Sequence, residues 1–335
     1  MHGADSAMPP EPGPSEQDAA PGLLAGIDEA GLGPVLGPLV VAGVALSGPT
    51  GGDPWRLLRR KVARTGNDPR KVRVADSKKV HSGPHGFQRL ERTVLAFWSA
   101  MHGSIPPHLG ALLRQCDADL DALRRCPWYE ALDLPLPQAN DRDQLELFAH
   151  LLGREMKQNS VELLHLAIRP MDVAEFNASI ATTGNKSDTH FAVYSDVITS
   201  ILEALPGNAH VVADRCGGRI HYLPALRRRL APHRIELVAE QARASSYTVH
   251  TGAHRVRITF AERGEERSFP TALASCAAKY VRELMMVALN SWFADRLPGL
   301  QRTAGYYVDG NRFLQDVAQL IESPGFPVDR LVRCR

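Results

Sequence analysis

Several of the usual signposts of function are missing from this chain. Its five cysteines (Cys116, Cys126, Cys216, Cys276, Cys334) are odd in number and form no Cys-x-x-Cys pair. That argues against a disulfide framework or a zinc knuckle and for a reducing compartment. No apolar run approaches the roughly 18 residues of a membrane span, and the first residues lack a basic start followed by an apolar segment. A soluble, cytoplasmic protein without a membrane partner is the expectation. The formal net charge is only +2, so a polyanion partner is neither required nor excluded by bulk charge. There is no Gly-x-x-x-x-Gly-Lys loop, no His-Glu-x-x-His helix and no Gly-x-Ser-x-Gly elbow, and the 13 histidines are scattered without ligand spacing.

What is present is enough apolar residue, 44% of 335, to bury a large core. Residues 1–21 are rich in Pro, Gly, Ala and acidic side chains and read as a disordered tail, with one domain over 22–335. Leu23 to Ile27 and Pro38 to Leu46 read as buried strands. Helices are expected over Pro84–Met101, Arg142–Lys157, Ser187–Leu205, Leu223–Leu230, Thr271–Trp292 and Arg312–Ile321. Further strands are expected over Val161–Ile168, His210–Ala213 and Arg234–Ala239. Residues 104–140 are weakly patterned and read as an insertion, and 252–268 as part of an inserted hairpin turning at Arg263-Gly264. The alternation implies an α/β layer structure with chemistry at strand ends.

Two stretches carry that chemistry. Gly26-Ile27-Asp28-Glu29-Ala30-Gly31-Leu32-Gly33-Pro34 is an apolar strand that ends in adjacent carboxylates and a Gly-x-Gly loop. A dinucleotide-binding reading fails here, because Pro34 and Pro38 follow and the chain re-enters a strand rather than opening a helix. The second is His210-Val211-Val212-Ala213-Asp214, again a carboxylate at the mouth of a buried strand.

Five blocks in order resemble the type 2 ribonucleases H, the ribonuclease HII family: Asp28-Glu29-Ala30-Gly31, Asp76-Ser77-Lys78-Lys79, the strand ending in Asp214, the Ala-Ser-x-x-Ala-Lys helix from Ala274 to Lys279, and the Gly-Tyr-x-x-Asp loop from Gly305 to Asp309. The resemblance spans about residues 23–319. It implies a ribonuclease H-like fold, with a mixed central sheet flanked by helices and a C-terminal helical extension. It further implies a monomeric, magnesium- or manganese-dependent endonuclease that hydrolyses the RNA strand of RNA–DNA hybrids, or DNA at embedded ribonucleotides, to 5′-phosphate and 3′-hydroxyl ends. Two hard cations about 3.5–4 Å apart serve such hydrolysis, and carboxylates suit them. By family likeness the metal-binding and catalytic set is Asp28, Glu29, Asp214 and Glu283, with Asp28 bridging both ions, Glu29 and Asp214 holding the leaving-group ion, and Glu283 facing the ion that carries the attacking water.

Two positions depart from the family pattern. Glu283, four residues after Lys279, stands where Asp is usual. Leu32 stands where the family loop reads Gly-Arg-Gly, whose backbone approaches the 2′-hydroxyl that distinguishes RNA from DNA. The related ribonuclease HIII enzymes also lack that arginine, so weakened single-ribonucleotide specificity is the expectation. Gly31, Leu32 and Gly33 are thus the substrate-reading loop. Ser77, Lys78 and Lys79 read either as phosphate contacts or as plain surface. Ser275 and Lys279 read as phosphate contacts if Thr271 lies near a helix start, and otherwise Lys279 partners the carboxylates. Tyr306 matches the tyrosine that packs on the sugar beside the junction, or is a corner tyrosine; Asp76 and Asp309 read as structural. The alternative is a catalytically weak or inactive nucleic-acid-binding relative that keeps the fold.

Overall fold

The computed structural model describes residues 22–66, 68–116, 118–252 and 254–334. The expected N-terminal tail lies outside the described residues.

In chain order the first elements are β1 (Leu23–Ala30), β2 (Leu39–Ser47), α1 (Pro54–Leu57), β3 (Val62–Ala63), β4 (Val72–Arg73), α2 (Ser77–Val80), α3 (Gly86–His102), α4 (Leu109–Gln115) and α5 (Leu120–Arg124). Then come α6 (Arg142–Gln158), β5 (Glu162–Met171), α7 (Val173–Thr183), α8 (Lys186–Ala204), β6 (Ala209–Asp214), α9 (Leu223–Arg229), β7 (Arg234–Glu240), β8 (Ala244–Thr251) and β9 (His254–Ala261). The chain closes with α10 (Gly264–Arg267), α11 (Phe269–Ala294), α12 (Tyr307–Asp316) and α13 (Ala318–Ile321). Asp141, Asp172, Asn185 and Ser268 cap α6, α7, α8 and α11 by accepting from first-turn amides. Each cap satisfies a donor that the helix cannot.

The main sheet runs β5-β2-β1-β6-β9-β8-β7. β1 pairs parallel with β6, and β6 parallel with β9; the remaining neighbours are antiparallel. This is the expected mixed sheet flanked by helices, and α12 and α13 follow α11 at its C-terminal side. β2 shows why it is central. Leu39, Val41 and Ala45 enter the core beneath α8, while Val40, Ala42, Val44 and Leu46 enter the core beneath α3, α6 and α11. Both faces are buried, so the strand reads as a continuous apolar run.

Three elements differ from the sequence reading. The hairpin turns between Thr251 and His254 rather than at Arg263-Gly264, and β9 pairs with β6 inside the main sheet, so residues 252–268 are not a separate hairpin. Charged residues alternating along β9 mimicked an exposed ribbon. Residues 104–140, expected as an insertion of unassigned role, are packed into the core: Leu109, Leu113, Trp128, Tyr129 and Leu136 are buried, and Trp128 stacks on Phe293 of α11. Their apolar residues lack a single period because they come from two short helices and a 3-10 turn. Finally, α7 has no counterpart in the sequence reading, and it buries only Val173 and Phe176.

Candidate metal centre

The pleat of β1 divides the adjacent carboxylates. Gly26 and Asp28 face α11, and Ile27 and Glu29 face α8. Gly26 permits this arrangement, since a Cβ there would lie 2.0 Å from the amide nitrogen of Thr271 in the first turn of α11. With the helix seated that closely, Ser275 reaches Asp28. The parallel register pairs Ile27 with Ala213, which delivers Asp214 to the strand end beside Asp28. Thr271 of α11 adds a hydroxyl donation to Val212 O at 2.6 Å and ties the helix to β6 as well.

Asp28, Glu29 and Asp214 converge. One ligand oxygen from each lies within 4.8 Å of the others. Each carboxylate has its own orienting group. The Glu29 amide donates to Asp28 Oδ1 at 2.7 Å, and the Gly264 amide of α10 donates to Asp214 Oδ1 at 3.0 Å. The Tyr194 hydroxyl donates to Glu29 Oε2, which His190 Nε2 faces at 3.7 Å.

The electrostatics follow from this crowding. Burial, then the charges of Glu29 and Asp214, push the Asp28 carboxyl well above its ordinary value. Burial pushes Asp214 up to about 7, and the charges of Glu29 and Glu265 add to the rise. Burial also works against Glu29, but His190 and Tyr194 outweigh it and hold that carboxyl below its ordinary value. Three hard oxygen donors with too little countercharge are a fitting complement for a divalent cation such as magnesium or manganese.

The other expected site residues are placed as follows. Glu283 is not in the cluster of three; Lys279 Nζ donates to its Oε1 at 2.6 Å, and Arg282 lies at 3.5 Å. Thr271 does lie in the first turn of α11, and Lys279 is paired with Glu283. Ser77 and Ser275 are buried and bonded to each other, Oγ to Oγ at 3.0 Å, joining α2 to α11. Lys78 is exposed and its charge acts on Glu29, while Lys79 pairs with Glu266 at 2.8 Å. Asp76 caps α2, and Asp309 accepts from Thr303 and Ala304, both structural as expected.

The Gly-x-Gly loop is braced from below. Gly31 has φ +90, and a Cβ on it would meet Arg282 Nε at 2.4 Å; Gly33 faces open space. Leu32 packs partly against the core beneath α8. Tyr306 is 48% exposed, with the Arg282 guanidinium 5.5 Å from its ring centre.

Sequence reasoning missed His190, Tyr194, Gly264 and Arg333. A histidine and a tyrosine four apart on an apolar helix face were a usable signal, since both polar tips need a partner there. The other two act through tertiary contacts that leave no pattern in the sequence.

No protein-family model and no curated protein matches the chain. Among solved structures it is similar to a chain of the PCNA:RNase HII complex from Archaeoglobus fulgidus, at 16% identity over 93% of this chain and 94% of that one, TM-score 0.42. It is also similar to Bst-RNase HIII in complex with Mn2+, at 12% identity over 95% and 68%, TM-score 0.44. A third is the ribonuclease H2 from Pyrococcus horikoshii OT3, at 14% identity over 91% of each chain, TM-score 0.37. Identities and TM-scores this low decide nothing about function, which has to be argued from the chain's own residues.

Proposed function

We propose that this protein is a metal-dependent endonuclease that hydrolyses the RNA strand of RNA–DNA hybrids. The observation that carries the reading is the convergence of Asp28, Glu29 and Asp214 at the ends of two parallel strands, beside a glycine loop open at Gly33. Divalent cations held by these three carboxylates would supply a water acidic enough to attack near neutral pH and would offset charge on the leaving oxygen.

The protein's own groups do the rest. Tyr194 and His190 keep Glu29 ionised and aimed at the cluster, and the Gly264 amide orients Asp214. Lys78, exposed beside Glu29, meets a backbone phosphate of the bound strand. The exposed Tyr306 ring packs against a sugar, with Arg282 behind it. Gly31 and Gly33 let the strand's 2′-hydroxyl approach backbone atoms, and Leu32 supplies no charged grip there, which weakens incision at single ribonucleotides. Glu283, held by Lys279, serves as an outer partner of the site rather than as one of the three inner ligands.

The test is incubation of the protein with a labelled uniform RNA–DNA hybrid and with a duplex holding one ribonucleotide, each with magnesium or manganese. Cleavage to 5′-phosphate and 3′-hydroxyl ends is expected, at least on the uniform hybrid. No cleavage under any of the four conditions would remove the enzyme reading. The pairing of Glu283 with Lys279 favours one second reading, a nucleic-acid-binding relative, which would retain hybrid binding in a gel-shift assay without cutting.

A further inference from the structure

A cavity of about 370 Å³ lies between the β3–β4 pair and α3, away from the carboxylate cluster. Four cationic side chains line it, Lys71, Arg73, Arg89 and Arg92. Among the described residues the one carboxylate in its wall, Asp68, is already bound through both oxygens by Arg70, at 3.1 and 3.2 Å. Arg89 and Arg92 are hydrogen-bonded to backbone carbonyls, and the charge of Asp68 also acts on Arg92. Arg89 Nε donates to Val80 O at 3.3 Å, and Arg92 Nη1 donates to Pro69 O at 2.5 Å while its guanidinium lies 4.4 Å from the centre of the Phe148 ring. Arg73 Nε is buried and has no hydrogen-bond partner.

Such an arrangement is costly without an anion. Four like charges repel across a space this small, and a buried guanidinium N–H left without an acceptor forfeits the hydrogen bond it makes in water. A guanidinium fork matches phosphate oxygens, and the volume lies at the small end of the range for bound ligands. We propose that this cavity is a second nucleic-acid contact, a phosphate-binding site for a nucleotide phosphate. Its position supports a strand as the source. Arg89 grips the end of α2 through Val80, and the start of the same helix, at Ser77, touches Ser275 beside the carboxylate cluster. One short segment therefore links both places. The site does not depend on the cluster being catalytic.

The experiment uses the full chain without added metal, so that binding is read apart from cleavage. A short fluorescently labelled oligothymidylate is titrated by anisotropy at low salt, then challenged with AMP and with inorganic phosphate. The variants are Lys71→Gln/Arg73→Gln and, as a second probe at a partly exposed position, Lys71→Glu; Arg296→Gln at the far end of α11 is the control. The double variant is expected to bind about tenfold more weakly and to lower the slope of log affinity against log salt by about 1.4, with the control unchanged. Lys71→Glu should shift both quantities in the same direction even if the double variant melts early. Displacement by AMP or phosphate supports the site with a free nucleotide as its source, whereas resistance to both, with the variant losses intact, supports it with a strand. Wild-type affinity and slope in Lys71→Glu, or no binding of any probe by the wild type, would overturn the proposal.

Discussion

The guanidinium of Arg333, two residues from the C-terminus, is buried beneath the glycine loop and donates to Gly31 O at 2.5 Å. The same group donates to Gly37 O at 3.0 and 2.6 Å, and its ring neighbour is Phe176 at 4.8 Å. The backbone on either side is fastened too. The Arg333 amide donates to Val35 O at 2.9 Å, and Asn177 holds the Cys334 amide at 2.8 Å. The segment at Arg333 and Cys334 thus shapes the loop that lies beside the carboxylates.

Replacing Arg333 with Ala should therefore destabilise the protein by about 2–4 kcal/mol, because two buried carbonyls lose charged donors. The check is chemical denaturation together with amide exchange, which should accelerate over residues 31–37 before it does so in β1. Lys at this position restores only part of the loss, since an ammonium lacks the fork that serves Gly31 and Gly37 together.

Asp28→Asn removes the carboxylate between the other two. The metal-free variant should melt higher than the wild type, since burial and two neighbouring charges oppose ionisation of Asp28. Manganese should raise the melting temperature of the wild type and leave the variant nearly unmoved. A similar rise in both proteins would place the bound cation elsewhere.

The pH dependence follows from Asp214, whose folded value of about 7 lies above its ordinary 3.8. Between those values the folded state holds a proton that the unfolded state has released. The stability of the metal-free protein should accordingly fall as pH rises through that window, by up to a few kcal/mol, and be greatest at its acid end. Metal binding requires the ionised form, so stabilisation by manganese should grow over the same range. Melting scans of the wild type and Asp214→Asn give the comparison, and equal slopes in the two metal-free proteins would refute the assignment.

Tyr194→Phe deletes the hydroxyl that donates to Glu29 while keeping the buried ring. Glu29 should then bind protons more readily, and manganese affinity should drop several-fold toward pH 4–5, where that proton competes, because a charged hydrogen bond of about 1–2 kcal/mol corresponds to roughly one pKa unit. Calorimetric titration measures it. A loss that persists undiminished at pH 8 would point to altered packing instead.

Leu32→Arg restores a cation to the loop at a partly buried position. On a duplex containing one ribonucleotide the variant should incise several-fold faster than the wild type, with little change on a uniform hybrid. Equal incision by the two proteins would show that Leu32 does not set specificity.

Much of the architecture could be read from the chain alone. Apolar runs bounded by Pro and Gly locate β1, β2, β5 and β6, and 3.6-residue periodicity locates α3, α6, α8 and α11. Both signals are local, since they follow from how neighbouring side chains divide between core and solvent. Asp28, Glu29 and Asp214 could be marked too, because each closes an apolar strand, while their grouping as one set came from the family resemblance.

Only the tertiary structure decided the rest. Whether Glu283 joins the cluster depends on where α11 seats against Gly26 and on a nearer competitor, Lys279, for its charge. The hydroxyls of Ser77 and Ser275 look open to a phosphate in the sequence, yet helix packing turns them toward each other. His190, Tyr194 and Arg333 act on residues about 160 to 300 positions away, across contacts that no local periodicity encodes. Sequence therefore named the carboxylates and their strands, while the placement of charge around them came from packing between distant segments.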